Sequence, residues 1–590
     1  MPKSLRIALT AIFYAAIYSF WLFVHPEALT FREQGQMFLL TAEYAASHAA
    51  VAGGAAEYAA EALTQFFFYP AIGAALITML IAAIQCGVWR LGQHLGSAWR
   101  HYGLSFAAPL TAVGAMGDTE VSVTLLVAVA SSVWLAVAYA GVARRGGAWQ
   151  AAAIPCAYWL LGPAAVVYAV CCLTVDARRR RWVMGLWPLA YLACAMALAA
   201  ATVMSQYPSE AVFASGNYVS TRLGVRTSLI VAEGVCSLLP VAMGLLPSVG
   251  RQAAAVVETL AVTAAGGALA MTSYDANEYS AIEFEQLVRA GKWDEIIRKA
   301  QEERPSDPLR LTCVNLALAM KGQLLSRMFE FDQSGPSGLI ARSERNQLSA
   351  LPSAETLFRL GMVNSAQHYF YDSQESITDY RKSSRLSKRI AETLIVNEQY
   401  ALAHKYIARL KRTLFYSRWA REAEALLGNE TAIAAHPVYG RLRAIRHKTS
   451  FFMNYYEMDK MLGLLYSDNH GNKLALDYYM AQCLLRRDIR GVLSGLGWVR
   501  ETYGDDAPRH VQEAVAMAWG QSHSSLDGAP IAISPSVRTA MMEFIGKHSG
   551  ERGLTVAGRN DGTFWHYMLT DSKHDARTGA TQPTHDEQAR

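Results

Sequence analysis

Charge is scarce in the first 271 residues of this 590-residue chain: 25 of its 103 Lys, Arg, Asp and Glu residues lie before Thr272 and 78 after. That excludes a water-solvated fold for the first part and predicts a lipid-solvated one, followed by a water-solvated second part. An excess of either sign is missing too, with 14 basic and 11 acidic residues before Thr272 and 40 and 38 after. No basic stripe tracks phosphates, which excludes nucleic-acid binding. Cysteines at metal-type spacing are also lacking. Six of the eight (Cys86, Cys156, Cys171, Cys172, Cys194, Cys236) lie in apolar segments, where a thiol serves as a small packing residue. Cys313 and Cys483 are far apart and read as two free buried thiols, with a single disulfide as the alternative. The apolar run Ile7–Val24, preceded by Lys3 and Arg6, lacks a small-residue cleavage site before His25-Pro26. It is expected to be an uncleaved signal anchor with its N-terminus inside.

What is present in residues 1–271 is a series of apolar runs, and they predict a polytopic all-α membrane domain of about nine spans. After the anchor come Phe66–Trp89, a short run Leu104–Gly117, Val121–Val142, the stretch Trp149–Thr174, Trp182–Met204, Ser228–Val249 and Ala253–Met271. The stretch Trp149–Thr174 is either one span broken at Gly162-Pro163 or a hairpin of two short ones. The hairpin puts Arg178–Arg181 and Arg251 inside, against Arg222 and Arg226 outside; a single span exchanges the two sets. The excess of arginine on the cytoplasmic side favours the hairpin and places everything after Met271 outside. Residues 25–64 carry Glu27, Glu33, Glu43, Glu57 and Glu61 against Arg32 alone, and predict an outer loop with two helices lying along the membrane surface. Glu233 and Glu258 fall within spans, where a carboxylate either marks a functional cavity or is an interhelically bonded structural group.

Residues 272–570 read as helix pairs joined by polar turns, at Leu287–Glu295, Leu316–Leu324, Leu360–Ala366 and Asn397–Ala403, with turn glycines Gly291, Gly322 and Gly361 spaced 31 and 39 apart. The pattern resembles a divergent tetratricopeptide repeat, which implies a soluble α-solenoid. Residues 571–590 are polar and expected to be disordered. His368, His404, His436 and His447 do not fall at metal-ligand spacings. The aromatic groups Tyr369–Tyr371, Phe415-Tyr416, Phe451-Phe452 and Tyr455-Tyr456 either line a ligand groove or form the core between repeats.

Several short stretches carry a resemblance to a family of multi-pass bacterial membrane proteins of unknown function, known mainly from Bacteroidetes: Glu33–Phe38, Thr64–Phe67, Gly291–Asp294, Asn315–Leu318, Thr413–Tyr416 and His436–Gly440. A more distant likeness is to C-type glycosyltransferases, which take sugars from lipid-phosphate carriers on the outer side of the membrane. That resemblance implies an essential acid in the first outer loop, matched by Glu33, and a second acidic motif after the third span, matched by Asp118-Thr119-Glu120. In it, a carboxylate activates the acceptor while Asp118 and Glu120 hold Mn²⁺ or Mg²⁺ against the donor phosphates. Arg222 and Arg226 pair with those phosphates. The expected setting is a bacterial inner membrane, with residues 272–570 in the periplasm binding a protein or glycan partner. The competing expectation is a non-catalytic scaffold whose repeats bind envelope proteins. Transport, a third possibility, is disfavoured by the lack of internal duplication and the few mid-span charges.

Overall fold

The computed structural model describes residues 3–97, 99–142, 149–178, 186–214, 226–246, 252–344, 346–377, 381–447, 453–550, 553–554, 556 and 561–570. Among them the secondary structure is helical apart from one pairing of Ser549-Gly550 with Gly553-Leu554. The chain forms two units. The first comprises Met1–Ser280 with Ile377–Arg385 and Ala408–Arg421; the second comprises Ala281–Ser376, Leu386–Ile407 and Glu422–Arg590.

In the first unit α1 (Lys3–Ser19) continues through a π-turn to Val24 and exposes Ile7, Ile12 and Phe23, apolar side chains suited to lipid. The acidic loop then folds into α2 (Pro26–Gln34), α3 (Ala42–Ala49) and α4 (Gly54–Thr64). Thr41 starts α3 by accepting the Tyr44 amide at 3.2 Å, and Gly53, with φ of 85°, supplies the left-handed turn that starts α4. Pro70 opens α5 (Pro70–His94) at a position where its missing N–H costs nothing. Then come α6 (Ala107–Ala115), α7 (Thr124–Val142), α8 (Gln150–Leu161) and α9 (Ala165–Arg178), followed by the helices Trp187–Ala201, Thr227–Leu245 and Gln252–Thr272.

Among the described residues five stretches, not nine, are long and apolar enough to cross a membrane: Ser4–Val24, Pro70–His94, Thr124–Val142, Gln150–Arg178 and Thr227–Leu245. A sixth arises if the bent pair Val256–Thr272 and Ala276–Ala290 is taken together. The remaining apolar runs are shorter as helices: α6 has nine residues, about 14 Å, and Trp187–Ala201 has fifteen. The sequence count overshot because apolarity marks burial in protein as well as exposure to lipid. In α6 seven of the nine residues, among them Leu110 and Val113, are buried inside the unit.

The stretch Gln150–Arg178 is not straight. Gln150 Nε2 donates to Asp176 Oδ2 at 3.2 Å, whereas 26 residues of straight helix would separate the two by about 39 Å. The reversal occurs at Gly162, with φ of 71°, followed by Pro163. The hairpin reading of this segment therefore describes the geometry, even though its 29 residues qualify together as one span by length.

Side-chain contacts sort the helix ends into two groups. At the Arg6 end, the Arg6 guanidinium lies over the Tyr102 ring and Thr10 Oγ1 is 2.7 Å from the Tyr102 hydroxyl. Here too Tyr139 donates to Asp176 at 2.7 Å, and Arg178 to the Gly244 carbonyl at 3.4 Å. Glu258 accepts from the Leu104 amide and lies 3.2 Å from His101 Nδ1, so this carboxylate is an interhelical structural group. At the His25 end, the His25 ring contacts Tyr274 and Tyr279, the Gly53 amide donates to Trp159 O at 2.9 Å, and Tyr158 donates to Val212 O. The helix Gln252–Thr272 runs from the first group to the second in close backbone contact with the third apolar segment. A Cβ on Gly103 would lie 2.8 Å from Thr259 Cα, and one on Gly266 would lie 2.3 Å from the Leu110 side chain.

The second unit is built of helix pairs. Gly291, Gly322 and Gly361 end their helices with φ of 69°, 68° and 92°, and Glu398 does the same with φ of 62°. Leu351–Leu360 packs on Val363–Ser376, and Met458–Asp468 on Lys473–Leu485, the latter helix capped by Asn472. Inside the unit Arg389 donates to both oxygens of the buried Glu355 at 2.9 and 3.0 Å and to Glu392 at 2.6 Å. All eight cysteines are free, with Cys313 and Cys483 buried. Arg179–Arg181, Arg222, Arg251, Phe451-Phe452 and the tail 571–590 lie outside the described residues.

Candidate functional site

The turn Asp118-Thr119-Glu120 links α6 to α7 at the His25 end. Asp118 Oδ1 accepts the Glu120 amide at 3.0 Å, an Asx-type turn that fixes the local backbone. Three other segments close on it. From α2, the buried Arg32 donates to the carbonyls of Met116 and Asp118 at 2.5 and 2.9 Å, with its guanidinium over the Trp21 ring. From the start of Thr227–Leu245, Arg226 Nε stands 3.2 Å from Asp118 Oδ2, out of line for a hydrogen bond and so an ion pair. After the last apolar helix, Glu278 Oε1 accepts from Thr119 Oγ1 at 2.5 Å and the Tyr279 hydroxyl donates to Gly117 O at 2.8 Å. Gly117 permits this approach: a Cβ there would lie 2.4 Å from Ser273 Oγ.

Three carboxylates, Asp118, Glu120 and Glu278, thus face two guanidiniums, Arg32 and Arg226. The surplus negative charge is visible in the acids. Withdrawal from water, then the charges of Asp118 and Glu278, raise the Glu120 carboxyl, with Arg226 and Arg32 only partly offsetting them. Burial likewise raises Glu278, against the hydroxyl of Thr119 and with Asp118 and Asp275 adding to it. Of the three acids Glu120 keeps the most contact with solvent, which screens part of its shift. Glu33 sits on α2 beside Arg32 but is itself 4 % exposed, so its carboxylate is not on the surface. The structure therefore brings Asp118, Glu120 and Arg226 together, leaves Glu33 buried on α2, and adds Arg32 and Glu278. Arg32 offered no sequence signal beyond being the lone base in an acidic loop. Glu278 follows the last apolar run, where it is one charge among the many of the second half and nothing local marks it.

A second polar cluster joins α3 and α4. Glu61, 4 % exposed, accepts the Tyr44 hydroxyl, lies 3.3 Å from His48 Nε2 and 3.5 Å from Arg381 Nε. Arg381 also pairs with Glu57, and Gln36 Nε2 donates to the Glu61 carbonyl at 2.9 Å. Burial would raise the Glu61 carboxyl, but the His48 hydrogen bond, the Arg381 charge and the Tyr44 hydroxyl outweigh it and hold it below the usual range. His48 moves the other way: burial would lower it, yet Glu61 and the Tyr44 carbonyl raise it. The segment carrying Arg381 is fastened by Arg385, which donates to Gln34 Oε1 at 2.6 Å, and by the Ser384 amide on Gln36 O. Phe415 likewise stacks on Phe68 with centroids 5.2 Å apart.

The family described as "Family of unknown function (DUF6057)" matches residues 3–571. The chain belongs to that family. No curated protein and no solved structure matches it. The DUF6057 match covers both acidic clusters and both units, so neither part of the chain is an addition to the family's extent.

Proposed function

We propose that the protein is a membrane-embedded glycosyltransferase of the C type, acting on a lipid-linked sugar at the His25 end of the first unit. The observation that carries this reading is the convergence of Asp118, Glu120, Glu278, Arg32 and Arg226, drawn from four separate segments, on one turn between apolar helices. The exposed carboxyl with raised proton affinity is Glu120, and the base role falls to it rather than to the buried Glu33. The acceptor hydroxyl or amide attacks the anomeric carbon and gives its proton to Glu120. The bond from that carbon to the carrier phosphate oxygen breaks, and the lipid phosphate departs with the electron pair, its charge met by Arg226. Asp118, Glu278 and the Thr119 hydroxyl, beside the base Glu120, form a hard-oxygen set with surplus negative charge, which fits Mg²⁺ or Mn²⁺. Such an ion supplies charge neutralisation at the departing phosphate.

Orientation follows from charge. The end holding Arg6, Arg90 and Arg178 is the cytoplasmic one, and the acidic loop, the Asp118 turn and the start of the chain beyond Thr272 are periplasmic in a bacterial inner membrane. The helix pairs of the second unit, a divergent tetratricopeptide-like solenoid, select the acceptor or a protein partner. The glycine-turned pairs also favour a second reading, a scaffold that binds envelope proteins without catalysis. Asp118→Asn and Glu120→Gln decide between them. The enzyme reading requires each to abolish the gene's cellular phenotype at unchanged protein abundance, and wild-type behaviour of both variants overturns it in favour of the scaffold.

A further inference from the structure

We propose that His548, Asp561 and His566, in the second unit, form a binding site for a divalent transition metal of the zinc class. One ring nitrogen from each histidine and one carboxylate oxygen all lie within 4.8 Å of one another. The helix Pro535–His548 contributes its last residue, the helix Phe564–Leu569 contributes His566, and Asp561 lies just before the latter helix. The site would therefore tie the end of one helix to the start of the next.

The side chain that points to a ligand is His566. It is 5 % exposed, and its Nδ1 is buried without a hydrogen-bond partner, 3.8 Å from Asp561 Oδ1. A buried ring nitrogen left in that state carries a desolvation penalty that coordination removes. At 3.8 Å the Asp561 carboxylate is too far to accept a hydrogen bond from this nitrogen, so that contact does not satisfy it.

The surroundings hold the ligands in place. Asp561 Oδ1 accepts from the Thr563 amide at 3.1 Å and from its hydroxyl at 2.6 Å, which orients the carboxylate. The same Thr563 hydroxyl accepts the His566 amide at 3.1 Å and starts the helix. That helix is anchored in turn by the Phe564 amide on Glu513 Oε2 and the Trp565 indole on Glu513 O, both at 2.8 Å. The His548 and His566 rings stand at 85° with centroids 6.2 Å apart, so their nitrogens approach one point without the rings stacking. Tetrahedral ligands at zinc distances sit about 3.3 Å from one another, so separations of up to 4.8 Å need to close by roughly 1.5 Å at most. His548 ends its helix half-buried and Asp561 is exposed, which leaves both room to adjust and water access for a fourth ligand. Two imidazoles and a carboxylate select zinc-like ions over Mg²⁺ and Ca²⁺. The other cluster of this type, His48, Glu57 and Glu61, differs in that the Arg381 guanidinium already neutralises it.

The test uses full-length protein in detergent, stripped with EDTA, desalted and titrated with ZnCl₂ by calorimetry, with metal content measured in parallel. The expected result is one tight equivalent per chain that also raises the unfolding temperature. Asp561→Asn and His566→Gln should each weaken it more than tenfold, while His48→Gln leaves it in place. If His566→Gln does not accumulate, His548→Gln and Asp561→Asn, at less buried positions, give the answer. Absence of a tight equivalent in the wild type, wild-type affinity in Asp561→Asn, or loss of the equivalent in His48→Gln instead would overturn the proposal.

Discussion

Gln150 and Asp176 share a hydrogen bond across 26 residues, so α8 and α9 begin and end at the same side of the bundle. Tyr139 donates to the same carboxylate at 2.7 Å and fixes α7 there as well. In a cysteine-free background, Gln150→Cys with Asp176→Cys should be joined by a short bifunctional thiol reagent. A straight helix would hold the two thiols beyond the reach of such a reagent, and no cross-link would form.

The reversal at Gly162 also bears on orientation. A reporter that fluoresces only in the cytoplasm should be bright when joined before Arg6 and dark when joined after Thr272. The opposite pattern would invert the proposed topology and move the Asp118 turn to the cytoplasmic side.

Acid should switch the proposed reaction off early. Glu120 must be ionised to take a proton, and its pKa is raised, so turnover should fall as pH drops through a value above the ordinary carboxylate range. The pH profile of sugar transfer in membranes measures this. Removing a neighbouring charge with Glu278→Gln should move the acidic limb to lower pH, because Glu278 is a cause of the shift.

The His48–Glu61 pair gives a stability prediction with a defined sign. His48 is raised on folding, so its contribution is complete below the unfolded value of about 6.5 and is lost as pH rises through the folded value. Glu61 is lowered, so its contribution holds above the unfolded carboxylate value and is lost in acid. Thermal unfolding should therefore show a decline as pH rises above the unfolded value of about 6.5 that His48→Ala abolishes. Arg381→Ala should cost more, roughly 3 kcal/mol, because it strips the buried Glu61 and its neighbour Glu57 of their fixed positive charge.

Two turn glycines of the second unit should respond differently to alanine. At Gly322 a Cβ meets nothing within 4 Å, and the substitution carries only the cost of a left-handed φ, about 1 kcal/mol. At Gly361 the same φ penalty applies and the Cβ would also lie 3.0 Å from the Ile445 carbonyl oxygen. Gly361→Ala should therefore lower the unfolding temperature more than Gly322→Ala.

The sequence made the helical class, helices in the acidic loop, the Gly162 reversal and the turns at Gly291, Gly322 and Gly361 legible, because each rests on local chemistry: apolar runs, short apolar groups between polar residues, or a residue that alone tolerates a positive φ. Span number was misread where the cause of apolarity is not local. Ala107–Ala115 and a lipid-facing helix share a composition, and only the partners of Leu110 distinguish them. The site divides along the same line. Asp118 and Glu120 stood out in a short turn, whereas Arg381 reaches Glu57 across 324 residues and nothing adjacent to it in the chain announces that partner.

The close packing of Gly103 on Thr259 and Gly266 on Leu110 has a consequence for biosynthesis. The two sides of that contact are made about 150 residues apart, and at ~5–20 residues per second the earlier side waits of order ten seconds or more in the bilayer for its partner. During that interval the seam that will receive the last apolar helix is open to lipid, to other nascent segments or to the insertion machinery. Bulk added at Gly103 should therefore appear first as a chain that is fully inserted yet cleared by quality-control proteases, an assembly defect separate from any failure to enter the membrane.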